Sequence, residues 1–156
     1  MNYKVKMRIL MVCMGNICRS PIAATVARVE LARAGIAAEV DSAGTEDYHI
    51  GDRADRRAIE VAEAHGYALA AHRARQVRGE DFETFDHLFA MDRVNLRALQ
   101  RFRPAQRGIE PVLLLGEAEV PDPYYGTMQD FEHVVSLART GVAALLARLR
   151  EPPRQA

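Results

Sequence analysis

The most constraining stretch of this chain lies near its start. The apolar run Arg8–Val12 (RILMV) breaks into CMGNICRS, and Pro21 then opens a pattern with Ile22, Val26 and Val29 at helical spacing. This reads as strand, loop, helix, with Ser20 as the helix N-cap, Pro21 in the first helical position and Gly35 as the stop. The unit recurs. A strand is expected at Ala38–Ser42, then a polar loop through Gly51 and a helix from Asp55 to Ala64 that ends at His65-Gly66. Phe85–Met91 forms a third strand, followed by a helix capped by Asp92 and running to Phe102, and Val112–Leu115 a fourth. Gly116–Asp130, with Pro121 and Pro123 on either side of Asp122, reads as a long loop. From Phe131 to Leu149 the apolar residues trace one face of a terminal helix, and EPPRQA is a tail. Strands that alternate with helices and are apolar throughout specify an α/β fold: a four-stranded parallel sheet with helices on both faces. Ligands of such sheets bind beyond the carboxyl ends of the strands, which directs attention to the loop after strand one.

Size and charge narrow the functions. At 156 residues the whole chain, 1–156, fits one domain. Lys+Arg and Asp+Glu both number 21, so no global field recruits nucleic acid or anionic lipid. The longest apolar run is about seven residues against the roughly twenty of a membrane span, and MNYKVK lacks the apolar stretch of a signal peptide. Cys13 and Cys18 are too few for a disulfide framework, and no Cys-x-x-Cys or close His pair offers a metal site. The expectation is a cytoplasmic protein with reduced thiols, no membrane or nucleic-acid partner, no metal and no cofactor. Lys4 and Lys6 are the only lysines, and the dominance of Arg with many alanines suggests a GC-rich, bacterial genome.

The segment from Cys13 to Pro21 carries the chemistry. A loop from a strand end to a helix start turns successive N–H groups inward, and the helix dipole adds positive charge, so Met14, Gly15, Asn16, Ile17, Cys18, Arg19 and Ser20 suit a tetrahedral oxyanion. Gly15 lets the backbone turn, and Arg19 offers a planar fork that grips two phosphate oxygens. The same field favours a thiolate on Cys13, which puts a nucleophile beside its electrophile.

VCMGNICRSP resembles the signature of the low-molecular-weight protein tyrosine phosphatases, and the resemblance extends from about Met7 to Arg148. A second motif, Asp122-Pro123-Tyr124-Tyr125, matches the loop that supplies the general acid in that family. The resemblance implies that Cys13 attacks phosphorus, Arg19 and the loop amides hold the equatorial oxygens, and Asp122 protonates the leaving phenol and then activates water on the phosphocysteine. It further implies that Ser20 hydrogen-bonds the sulfur, that Asn16 braces the loop with Ser42 and His72 as partners, and that Asp92 stands near the catalytic arginine. A helix N-cap explains Asp92 equally well. The resemblance places Tyr48, where many relatives carry Trp, as one wall of the substrate cleft, with Tyr124 and Tyr125 expected at the opposite rim, where loop packing explains Tyr125 equally well. An aromatic at Tyr48 looks more like the eukaryote-like branch than the branch tied to exopolysaccharide kinases. Cys18 resembles the family cysteine that pairs with the nucleophile on oxidation. The implied partners are a phosphotyrosine protein, such as a tyrosine kinase, and inhibitory phosphate or other oxyanions. His49, His65, His87 and His133 have no motif around them and read as surface or satisfied polar residues.

Three alternatives stand beside this reading. A thioredoxin-coupled arsenate reductase would need a third cysteine, which the chain lacks. A protein-arginine phosphatase shares the loop and the acid but resembles a pattern with Thr where this chain has Ile17. A non-catalytic phosphotyrosine-binding module would be expected to lose Cys13 or Asp122, and both are present.

Overall fold

The computed structural model describes residues 6–151. The tail Pro152–Ala156 and the first five residues of the expected 1–156 domain lie outside the described residues. Four strands, β1 (Met7–Cys13), β2 (Ala38–Gly44), β3 (His87–Ala90) and β4 (Val112–Leu113), form one parallel sheet in the order β2-β1-β3-β4. The helices are α1 (Arg19–Arg33), α2 (Arg56–Ala64), α3 (Asp81–Thr84), α4 (Arg93–Phe102) and α5 (Met128–Leu149), with a 3₁₀ turn at Pro104–Gln106.

Alternation along β1 sends its side chains to two cores. Ile9 and Met11 pack on one face with Ile22 and Val26 of α1, Val61 of α2 and Phe131 and Val142 of α5. Leu10 and Val12 pack on the other with Phe82 of α3, Leu88 of β3 and Leu99 of α4. Each large side chain buried this way contributes about 1.5–3 kcal/mol, which is why a central strand covered on both faces is apolar at every position. Among the described residues no helix is long and apolar enough to cross a membrane.

The sequence reading placed the elements correctly and missed some of their ends. β2 runs two residues further, to Gly44, while β3 and β4 are shorter than expected, because strand length is set by the neighbour available for pairing. α3 was not foreseen, since one turn of helix leaves no periodicity. α5 starts at Met128, inside the segment read as loop, where the Thr127 N–H donates to the Asp130 carboxylate at 2.7 Å. The stops at Gly35 and Gly66 are as expected, both with positive φ (76° and 86°). α1 begins at Arg19, so Pro21 occupies its third position and not the first, and Cys18 is the N-cap without a side-chain cap bond.

The chain steps from β1 outward to β2 and then returns across β1 to β3. The loops leaving β1 and β3 therefore diverge, and the crevice between their carboxyl ends is the switch point of the sheet. Cys13 ends β1 and Asp92 follows β3 by one residue beyond Met91, so the two reach the crevice from opposite sides.

Candidate active site

Cys13 is the last residue of β1, paired in register with Gly44, and is 3% exposed at the floor of a cavity of about 270 Å3. The loop that follows wraps its sulfur. The Asn16 N–H donates to Cys13 Sγ at 3.3 Å, and Ser20 Oγ stands 2.9 Å from the same sulfur. Of the two roles expected of Ser20, the cap on α1 does not form, because the helix starts one residue before it, and the bond to the sulfur does, with the hydroxyl turned inward from within the first turn.

Asn16 holds the loop's shape. Its φ is +61°, a left-handed conformation that Asn tolerates better than most residues, and it is fully buried. Its Nδ2 donates to Ser20 Oγ (2.8 Å) and Ser42 Oγ (2.9 Å), and its Oδ1 accepts from the Arg75 backbone N–H (3.0 Å). His72 Nε2 donates to the Asn16 carbonyl at 2.7 Å, which fixes the tautomer with hydrogen on Nε2. Burial lowers the His72 pKa against the opposing pull of that carbonyl, so the ring is neutral at neutral pH.

Arg19 is 3% exposed and its guanidinium is pinned from one side. Nη1 donates to Asp92 Oδ2 at 2.6 Å and to the Val120 carbonyl at 3.1 Å. Burial works against the charged form, but Cys13 and Asp92 outweigh it and hold the Arg19 pKa above its ordinary value. Asp92 has both roles raised for it, since its Oδ1 also caps α4 by accepting from the Asn95 N–H at 2.7 Å. Arg19 Nη2 lies 4.0 Å from Asp122 Oδ2 at the cavity mouth, where the Asp122 side chain is half-exposed and Oδ1 accepts the Tyr124 N–H at 3.1 Å.

Met14, Gly15, Ile17 and Cys18 line the same cavity, as do Tyr48, Tyr124 and Tyr125. Tyr48 is 68% and Tyr125 94% exposed, while Tyr124 stacks edge-on against Tyr125 with ring centres 4.9 Å apart. Cys18 is a buried free thiol whose pKa burial drives far up, with Asp55 and Cys13 adding to the effect, so it stays protonated. Among the described residues no group of three His, Cys, Asp or Glu side chains is arranged to hold a metal ion.

Four residues escaped the sequence reading. His49, expected to be a surface or satisfied polar residue, lines the cavity and leans so close to Gly15 that a Cβ there would meet its Cδ2 at 3.0 Å. Its position beside Tyr48 was the only available signal. Gly44 lies under the loop, where a Cβ would come within 2.6 Å of the Met14 carbonyl oxygen. Arg75 pairs with Asp41 and Asp81 while its backbone holds Asn16. Arg57 donates to the Tyr124 carbonyl at 3.0 Å. Each of the four meets the phosphate loop or the Asp122 segment from a distant part of the sequence.

The model of the low molecular weight phosphotyrosine protein phosphatase family matches residues 8–155. A low molecular weight protein-tyrosine-phosphatase of Streptomyces coelicolor is 43% identical over 155 residues, covering 92% of this chain and 94% of that protein. A protein tyrosine phosphatase of Entamoeba histolytica, crystallised with Hepes in its active site, superposes with a TM-score of 0.87 at 35% identity, covering 92% of this chain and 97% of the other. Wzb of Vibrio vulnificus in complex with benzylphosphonate superposes with a TM-score of 0.82 at 29% identity, covering 92% and 99%. Such relatives come from bacteria and eukaryotes alike, so membership does not carry the bacterial source read from composition. The chain belongs to the low molecular weight phosphotyrosine protein phosphatase family and is a protein-tyrosine-phosphatase, a phosphoric monoester hydrolase.

Proposed function

We propose that this chain hydrolyses phosphotyrosine in proteins through a phosphocysteine on Cys13. The observation that carries the reading is the convergence on one cavity of the Cys13 sulfur, the pinned Arg19 fork and the Asp122 carboxylate. In the first step Sγ attacks phosphorus in line, the bond from phosphorus to the phenolic oxygen breaks, and the proton of Asp122 passes to that oxygen. The inward N–H groups of Met14 to Ser20 and the Arg19 fork hold the three equatorial oxygens. In the second step water attacks phosphorus, Asp122 takes its proton, and the P–S bond breaks to release inorganic phosphate and the thiolate. No metal or organic cofactor enters either step.

The lining supports the substrate class. The buried Cys13 shares its cavity with the exposed rings of Tyr48, Tyr124 and Tyr125, apolar walls that suit the aromatic ring of a phosphotyrosine. Asn16, Ser20, Ser42, His72 and Asp92 serve as positioning residues for the loop and for Arg19. Cys18, kept protonated, is no rival nucleophile. When peroxide converts Cys13 to the sulfenic acid, the Cys18 sulfur bonds to the Cys13 sulfur as its thiol proton passes to the departing hydroxide, which gives a disulfide and water, and a thiol reductant restores both thiols. The partners in this reading are phosphotyrosine proteins, a tyrosine kinase among them, with phosphate and other oxyanions as inhibitors, in the cytoplasm.

Release of phosphate from phosphotyrosine, phosphoserine and phosphoarginine peptides under reducing conditions, with Cys13→Ser as the blank, tests the reading. Selective, Cys13-dependent release from phosphotyrosine is the expected result. Preference for phosphoarginine would keep the loop chemistry and overturn the substrate, and no turnover would leave a binding module.

A further inference from the structure

Nothing in the mechanism above explains Arg57, which is neither in the phosphate loop nor at the reacting atoms. It links the start of α2 to the segment that carries Asp122. Asp55 caps α2, and its own backbone N–H donates to the Ile17 carbonyl at 2.9 Å, which stitches the start of α2 to the phosphate loop. The Asp55 carboxylate then grips Arg57 twice, accepting from Nε on Oδ1 (3.1 Å) and from Nη2 on Oδ2 (3.0 Å). The same Nη2 donates to the Tyr124 carbonyl at 3.0 Å. The guanidinium lies 4.5 Å over the ring of Phe131, a fully buried residue of α5, and 5.6 Å over the ring of Tyr124.

Tyr124 is thus held at both ends of its backbone. Its carbonyl accepts from Arg57, and its N–H donates to Asp122 Oδ1 at 3.1 Å. That N–H is the only hydrogen bond to the Asp122 carboxylate among the described residues, and the carboxylate is half-exposed, so its direction depends on where Tyr124 sits. An exposed ion pair on its own would contribute little, but a bidentate fork seated on an aromatic platform loses less freedom per bond and sets direction as well as distance.

We propose that Arg57 is a positioning residue that sets the orientation of the Asp122 carboxylate relative to the phosphate loop, through Asp55 on one side and the Tyr124 peptide on the other. The inference rests on Asp122 being the general acid, and the experiment separates the two ideas. Proton donation matters for phenyl phosphate, whose leaving group is poor, and hardly at all for p-nitrophenyl phosphate, whose leaving group is activated. The ratio of kcat/KM for the two substrates therefore reads the acid alone, and it is independent of how much of a variant is folded.

Arg57→Ala, Arg57→Lys, Asp122→Ala and the double variant Asp122→Ala/Arg57→Ala are compared with the unaltered enzyme. The expected result is a ratio lowered about tenfold in Arg57→Ala, since small displacements of a catalytic group cost that much or more. Arg57→Lys is expected between the two, because an ammonium keeps the charge but cannot serve Asp55 and Tyr124 with one planar fork. On the Asp122→Ala background the second substitution leaves the ratio unmoved. An unaltered ratio in Arg57→Ala, or a further fall on the Asp122→Ala background, overturns the role of Arg57 while leaving the acid in place. A normal ratio in Asp122→Ala removes the acid itself.

Discussion

Replacing Asn16 with Ala strikes the loop at the residue that bears most of its internal bonding. The side chain, itself fully buried, donates to the buried Ser20 Oγ and Ser42 Oγ and accepts from the half-buried Arg75 N–H. Ser20 Oγ keeps Cys13 Sγ as a partner, so its bond is lost at the modest net value of about 1 kcal/mol. The Arg75 N–H and Ser42 Oγ lose the only partner this network gives them, at roughly 1–3 kcal/mol each. Alanine must also adopt the +61° φ that Asn tolerates, which adds about 1 kcal/mol. The total is about 4–8 kcal/mol, a large share of the stability of an ordinary domain. For a chain of this size it corresponds to a fall in Tm of about 15 °C. Asn16→Gly separates the contributions, since glycine loses the same bonds without the backbone penalty and should be the more stable of the two by about 1 kcal/mol. Urea unfolding followed by circular dichroism, run with thermal melts, measures both. A variant Asn16→Ala within about 1 kcal/mol of the unaltered protein would show that the buried network is not what orders the loop.

Other outcomes follow from single contacts. Gly44→Ala drives a Cβ to within 2.6 Å of the Met14 carbonyl, and the displaced loop should weaken inhibition by inorganic phosphate about tenfold; an unchanged inhibition constant would mean the loop yields without cost. Asp92→Asn keeps the α4 cap but removes the charge from Arg19, whereas Asp92→Ala removes both. Both should therefore lose activity alike, with Asp92→Ala less stable than Asp92→Asn by about 1 kcal/mol, as melts and phosphate release would report. Burial depresses the pKa of His72 and of His87 in the folded state, so the unfolded chain binds more protons as pH falls below about 6.5. Stability should thus rise with pH up to that value and be lost below it, and His72→Gln should flatten part of the slope; an unaltered slope by urea titration across pH 5–7 would remove His72 from the account.

How far the sequence carried can be judged from particular residues. The strand ending at Cys13, the loop and the helix stops at Gly35 and Gly66 were legible because each depends on neighbours within a turn or a strand's length. So was the choice of Asp92 as an N-cap, since the N–H it accepts lies three residues on. Ser20 fits the local pattern of a helix cap and, by the family resemblance, a partner of the sulfur, and only the Cys13 sulfur at 2.9 Å decides which its hydroxyl takes. Asn16, Ser42 and His72 were named through the family resemblance, and no spacing in the chain pairs them.

By itself the sequence determined an α/β chain with apolar strands, helix ends written in capping residues, and a cysteine followed six residues later by the arginine that shares its loop. The tertiary structure decided everything that joins loops from different strands. Arg19 meets Asp92 across 73 residues, Arg75 meets Asn16 across 59 and Arg57 meets Tyr124 across 67. Gly44 is small because the Met14 carbonyl crosses over it, and His49 reaches the cavity because the segment after β2 folds back over the loop after β1. Periodicity and capping act through bonds a few residues long, so they are written locally. Contacts at the switch point depend on the sheet order β2-β1-β3-β4, which is set by how two apolar faces are buried together and by no single segment of the chain.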